Sequence, residues 1–147
     1  YLQVTQSRGW LPNPVGGVVW LGYDNPMTTP HMPFYIGISQ MPASFMVDGR
    51  AKFRRDSAWW AFRQVSQMAF LRWQPMVLDI EKVWRPIEQK AYADQAKVEA
   101  EAVALYKQDP AKAREYLTKY SHAIADGAVA AYWKLADDLW SKYTNYF

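Results

Sequence analysis

The chain has 147 residues, with 17 Lys plus Arg, 14 Asp plus Glu, two His and no Cys, and that length is natural for one domain. A fold of this size buries ~68–70% of its extended surface, so a core forms without disulfides or metal, and the missing cysteine excludes thiolate zinc sites and a cysteine nucleophile on this stretch. The net charge of +3 arises after residue 50, where Lys and Arg alternate with Asp and Glu; that is a mixed solvated surface rather than the basic stripe of a nucleic-acid binder.

The first fifty residues hold six of the seven Gly and six of the nine Pro but only four charges, Arg8, Asp24, Asp48 and Arg50. Such composition predicts strands and turns. Residues 2–5 read as one strand, 18–21 as a second opened by Gly16-Gly17, 34–38 as a third, and Phe45-Met46-Val47 as a shorter fourth. Runs apolar on both faces imply a sheet covered on both sides. The uncharged stretch 25–47 is long enough for a membrane span, but Pro26, Pro30, Pro33 and Pro42 exclude a continuous helix there. No signal peptide is visible, and the chain opens on Tyr1 rather than Met, which points to a processed chain or a fragment.

From residue 51 the pattern becomes helical. Trp59, Phe62, Ser66, Ala69, Phe70 and Trp73 fall on one face, with Trp60, Val65, Met68 and Leu71 beside them, so the helix is apolar around much of its circumference and is expected to be buried. Asp56 or Ser57 is its N-cap and Pro75 marks its end. A second helical stretch over 76–106 contains Pro86, which predicts a kink or break, and its later part, with Glu99 and Glu101, is expected on the surface. Asp109-Pro110 opens the last stretch, which is one helix or two divided at Gly127. The fold class is therefore α+β: strands and loops over 1–50, helices over 51–147, forming a single domain or the C-terminal fragment of a larger enzyme.

No self-sufficient catalytic motif is present: no G-x-S-x-G, H-E-x-x-H, phosphate-binding loop or C-x-x-C. Five groups are singled out. Arg54 and Arg55 precede the most apolar helix, where cations oppose the positive end of the helix dipole unless an anion is held nearby; a structural carboxylate, a substrate carboxylate and a thiolate all fit. Asp24-Asn25 ends a strand, where active-site residues often sit, although Asp-Asn-Pro is also turn chemistry. Arg8 follows a strand and is a candidate carboxylate binder or a surface charge. Trp59 and Trp60 read as core rather than as a ligand platform, and His31 reads as an exposed loop residue. His31 and His122 are too far apart to anchor a metal site without carboxylates.

Val4-Thr5-Gln6-Ser7-Arg8, Leu11-Pro12, Gly16-Gly17-Val18-Val19-Trp20-Leu21-Gly22 and above all Phe53-Arg54-Arg55-Asp56-Ser57-Ala58-Trp59-Trp60-Ala61-Phe62 resemble the C-terminal part of the dipeptidase A family of thiol peptidases. Tyr116-Leu117-Thr118 and Trp133-Lys134-Leu135-Ala136-Asp137 look like that family's final helices. The resemblance implies an N-terminal-nucleophile hydrolase with an αββα fold, short peptides as substrate, and neither metal nor cofactor. Its nucleophile is a Cys at the start of the processed chain, whose α-amino group is the general base. This chain departs from the pattern in having no Cys, so the resemblance implies a C-terminal piece whose partner is the upstream part of the same protein. Bile salt and penicillin V hydrolases of the same superfamily place an Arg beside the nucleophile just ahead of a helix. Arg55 holds the comparable place, with Arg54 as the alternative, and Asn25 is similar to an oxyanion-hole donor. The competing reading is a non-catalytic, aromatic-rich binding or docking module. Without the missing segment the strand half is expected to stay incompletely covered, so self-association is expected.

Overall fold

The computed structural model describes residues 1–145. Strands β1 (Leu2–Ser7), β2 (Gly17–Gly22) and β3 (Met32–Tyr35) form one antiparallel sheet in the order β1-β2-β3. A single helical turn, α1 (Asn13–Gly16), returns the chain from β1 to β2 with Pro14 in its first turn. A Cβ on Gly16 would lie 2.6 Å from the Arg8 carbonyl oxygen, so this reversal closes only around glycine. Three helices follow: α2 (Ala58–Ala69), α3 (Trp73–Gln108) and α4 (Pro110–Thr144). The fold is α+β, with strands first and helices after.

Register divides the sheet residues between two cores. Val18 pairs with Tyr35 and Trp20 with Pro33, which puts Val18, Trp20 and Tyr35 on one face, where they pack with Val15 against Ala91, Val98 and Ala102 of α3 and Leu117 of α4. Met32 and Phe34 point the other way, into a core made by Phe62 and Val65 of α2, Met76 and Ile80 of α3, and Tyr132, Leu135 and Leu139 of α4. Helix α4 serves both cores. It is also tied across by the Tyr132 hydroxyl, which donates to the Thr28 carbonyl at 2.5 Å, and by Thr118, whose hydroxyl accepts from the Ser39 amide at 3.0 Å.

Several sequence expectations need correction. Residues 43–45 form a 3-10 turn (Ala43–Phe45) rather than a fourth strand, because Phe45 is used as a plug: its ring stacks on Tyr23 and meets Phe34 edge-on. Cover on both faces holds for β3, which is buried at every position, but β1 is exposed along its whole length. Helix α2 stops at Ala69, before Pro75, which falls in the first turn of α3 where its missing N–H costs nothing. Phe70 and Leu71 are consequently in the exposed turn between the two helices. Helix α3 runs unbroken through Pro86, which lies on the exposed face where the carbonyl it leaves without a donor is open to water; Trp84 and Ile87 beside it pack on the core. Helix α4 passes Gly127 without a break. Glu99 is not a surface residue, because the small side chains of Ala91 and Ala102 bring α3 close to the sheet and Glu99 lands inside that contact.

Candidate functional site

The loop ahead of α2 is pinned before it reaches the arginine pair. The Trp60 indole N–H donates to the carbonyls of Gly49 and Lys52 at 2.7 and 2.8 Å, and Gly49 lies so close to Ser57, Trp59 and Trp60 that an added Cβ would be 3.0 Å from each. Ser57 takes the N-cap position with extended backbone, although its hydroxyl turns to the Val47 carbonyl instead of capping the helix. The two arginines then diverge. Arg54 closes on its neighbour, with Nε and Nη2 donating to the two oxygens of Asp56 at 2.9 and 2.6 Å, and that pair holds the Asp56 carboxyl below its ordinary range. Arg55 reaches across to α4 instead. Its guanidinium carbon is 5.0 Å from the centre of the Trp133 ring, and Nη2 donates to Asp137 at 3.2 Å. Nε and Nη1 of Arg55 have no hydrogen-bond partner among the described residues. Phe53 completes the surround, edge-on to both Trp60 and Trp133.

At the end of β2 the backbone of Asp24 turns left-handed, with φ of 61°, a conformation that Asp tolerates better than most residues. One oxygen of its carboxylate accepts from Arg63 of α2 at 2.8 Å, while Oδ2 is buried and has no partner among the described residues. Arg63 in turn lies 5.7 Å from the Trp59 ring centre. Asn25 accepts from the Met27 amide at 3.0 Å through Oδ1 and so caps the following 3-10 turn (Pro26–Thr28). That fixes the carboxamide with Nδ2 as its open donor end among the described residues. An aromatic run, Trp133 to Phe53 to Trp60 to Trp59, connects the Arg55 and Asp24 ends of this region.

Arg8 belongs to a different neighbourhood. It forms an ion pair with Glu99 of α3, and its Nε and Nη2 donate to the carbonyls of Gly16 and Val15, each at 3.3 Å. Glu99 also accepts from the Tyr35 hydroxyl at 3.1 Å and from Gln95 at 2.9 Å, and burial, followed by this carboxylate, raises the Tyr35 phenol. His31 is no exposed loop residue: the same Glu88 oxygen takes its Nδ1 at 2.5 Å and its backbone amide at 2.9 Å. Arg8, Asp24 and Arg55 are thus tied to α3, α2 and α4 respectively. A surface furrow of about 680 Å³ between Ser39-Gln40 and the Arg114 to His122 stretch of α4 contains none of the sequence candidates. Among the described residues no cluster of three or more His, Cys, Asp or Glu is placed to hold a metal ion, and no helix is long and apolar enough to cross a membrane.

The region that carries Arg8, Asp24, Asn25, Arg54 and Arg55 is also the region that matches a known family model. The model of peptidase family C69 matches residues 1–86. The chain belongs to that family. No curated protein matches it at the level of a confident relative. The C69 peptidases, the dipeptidase A family, are peptide-bond hydrolases. The match spans the sheet, α2 and the start of α3, and ends at Pro86 inside that helix. Trp133 and Asp137, which touch Arg55, lie beyond it. Sequence reasoning missed both as site residues; the only local signal was an aromatic followed four residues later by an acid, a spacing that brings two side chains to one side of a helix.

Proposed function

We propose that this chain is the C-terminal segment of a cysteine dipeptidase whose nucleophile is an N-terminal Cys supplied upstream. The observation that carries the proposal is a C69 match that includes all five candidate residues in a sequence without a cysteine. The upstream thiolate attacks the peptide carbonyl, the leaving amine takes a proton from the protonated α-amino group, and water then hydrolyses the thioester. In this mechanism Arg55 holds an anion beside the reacting centre and Asn25 offers Nδ2 toward the developing oxyanion; Asp24, with one oxygen on Arg63 and the other buried, is better suited to holding the end of β2 than to meeting substrate. Arg54, with both arms on Asp56, is the less open of the two arginines. Arg8, enclosed by Glu99 and two carbonyls, is better suited to holding the sheet on α3 than to meeting substrate.

The upstream part also supplies a second sheet, completing the αββα layers. Support for this lies in β1, exposed along its length, and in Ile36, an apolar residue just past the end of β3 that is 60% exposed. Alone, the chain would cover that surface by self-association.

The test compares the 147-residue chain with the longer gene product on Ala-Ala. Turnover by the longer product and none by the chain alone is expected; turnover by the pure chain ends the proposal. In the longer product Arg55→Lys keeps the charge but loses the planar fork and should cost ~tenfold in kcat/KM, with Arg54→Lys near neutral. A melting temperature lowered by several degrees with unchanged kinetics would make Arg55 structural.

A further inference from the structure

Taking the dipeptidase reading as its ground, we infer that Arg55 is the receptor for the substrate's free α-carboxylate, and that Trp133 and Asp137 of α4 are the positioning residues that set how strongly it binds. Four arginines lie on α2 or in the loop ahead of it, with Arg8 in its separate neighbourhood, and their hydrogen bonding separates them; Arg50 donates from Nε and Nη2 to its neighbour Asp48. Arg8 uses three of its nitrogens on Glu99, Gly16 and Val15. Arg54 uses its fork on Asp56. Arg63 is spent on the carboxylate of Asp24, whose side chain is only 13% exposed. Arg55 alone combines a half-open side chain, 58% exposed, with a single contact at one terminal nitrogen.

Its Nε and Nη1 are unbonded among the described residues, and the guanidinium carbon sits 5.0 Å from the centre of the Trp133 ring, a cation–π contact that helps hold the group in place. Each fork of the guanidinium includes Nη2, and once Asp137 is displaced such a planar fork matches a carboxylate with two parallel hydrogen bonds. The indole itself is placed by packing, being partly buried against the core that α2, α3 and α4 share. Asp137 shows that a carboxylate is accepted at this guanidinium. Being 62% exposed and bonded through one 3.2 Å contact, it is an exchangeable occupant that a ligand carboxylate offering two oxygens can displace. Asp137 therefore competes with substrate, and Trp133 supports it. Phe53, 49% exposed and edge-on to Trp133, walls the same spot and would face the substrate side chain next to the carboxylate.

The experiment uses the longer gene product that contains the nucleophile, with Ala-Ala and its C-terminal amide as substrates. Wild type should prefer the free acid by ~tenfold or more in kcat/KM, the worth of a charge-assisted forked contact. Asp137→Asn, a surface change, should lower KM for the acid by about two- to fivefold relative to KM for the amide, because it removes a competing charge. Trp133→Leu should bring the acid-to-amide ratio down about tenfold, with Trp133→Phe retaining part of it. An Asp137→Asn variant that moves both substrates alike, or neither, overturns the inference while leaving the dipeptidase reading intact. If wild type cleaves neither substrate, the dipeptidase reading fails, and titration calorimetry with alanine and alaninamide decides about the receptor: alanine bound more tightly, and tighter still by Asp137→Asn, sustains it, whereas equal affinities remove it.

Discussion

Replacing Arg8 by Met should cost folding stability rather than substrate affinity, and the structure sets the size of the loss. Arg8 and Glu99 are each 13% exposed, so Met keeps most of the packed stem while leaving a nearly enclosed carboxylate without its counter-charge. Removing one partner of a fully buried pair costs ~3–5 kcal/mol. Here Tyr35 and Gln95 still donate to Glu99 and some water reaches it, so about 2–3 kcal/mol is expected. At ~2–4 °C per kcal/mol for a protein of this size or somewhat larger, the melting temperature should fall by roughly 5–10 °C. Glu99→Gln in the Arg8→Met background should recover part of that, since a neutral amide is cheaper to bury than a lone charge; the cycle of four variants then yields a coupling of ~1–3 kcal/mol. Thermal unfolding followed by circular dichroism, together with Ala-Ala kinetics on the full dipeptidase proposed above, reads both quantities. An unchanged melting temperature with a raised KM would refute the reasoning and return Arg8 to the substrate.

Gly127→Ala should stabilise α4 by ~0.5–1 kcal/mol, because the site is inside a helix and nothing lies within 4 Å of the added methyl; a lower melting temperature would contradict this. Asp79 is held well below its usual carboxyl range by hydrogen bonds from Lys142, then Lys82 and Tyr143. Its contribution is complete above its ordinary value of 3.8 and is lost as pH falls below that, so Asp79→Asn should lower stability by ~1 kcal/mol at pH 7, with the gap to wild type closing in acid. A gap independent of pH would exclude the charged pairing as its cause. Burial pushes Tyr116 and Tyr120 up to about 12 and Tyr132 well above its normal value. The unfolded chain releases these protons near 10, so stability should fall as pH rises above that point, and absorbance at 295 nm should show Tyr132 ionising only as the protein unfolds.

Local chemistry was legible in the sequence and distant pairing was not. Asp109 caps α4 through its side chain, which accepts from Ala111 at 2.9 Å, and Asp-Pro announced that helix because the capping atoms sit within two residues of each other. Trp59 to Ala69 signalled α2 for the same reason of short-range period, though its end was set by the turn at Phe70 to Arg72 and not by the proline beyond. Arg8 with Glu99 and His31 with Glu88 are separated by 91 and 57 residues, and nothing in either local segment specifies the partner. The two arginines before α2 were equivalent on paper. What separates them is Trp133 and Asp137, the latter 82 residues downstream of Arg55.

The dependence of both cores on α4 has a consequence for the chain as it leaves the ribosome. At ~5–20 residues per second, the thirty-five residues of this helix take about 2–7 s to make after Asp109 has emerged. During that interval Met32, Phe34, Phe62 and Val65 have no Tyr132 or Leu135 to pack on, while β1 offers an unpaired edge. The nascent protein therefore passes through a stage in which sticky surface and an open strand coexist. Chaperone capture is best timed there, and a stop anywhere within α4 leaves a product fit for degradation rather than a shortened enzyme.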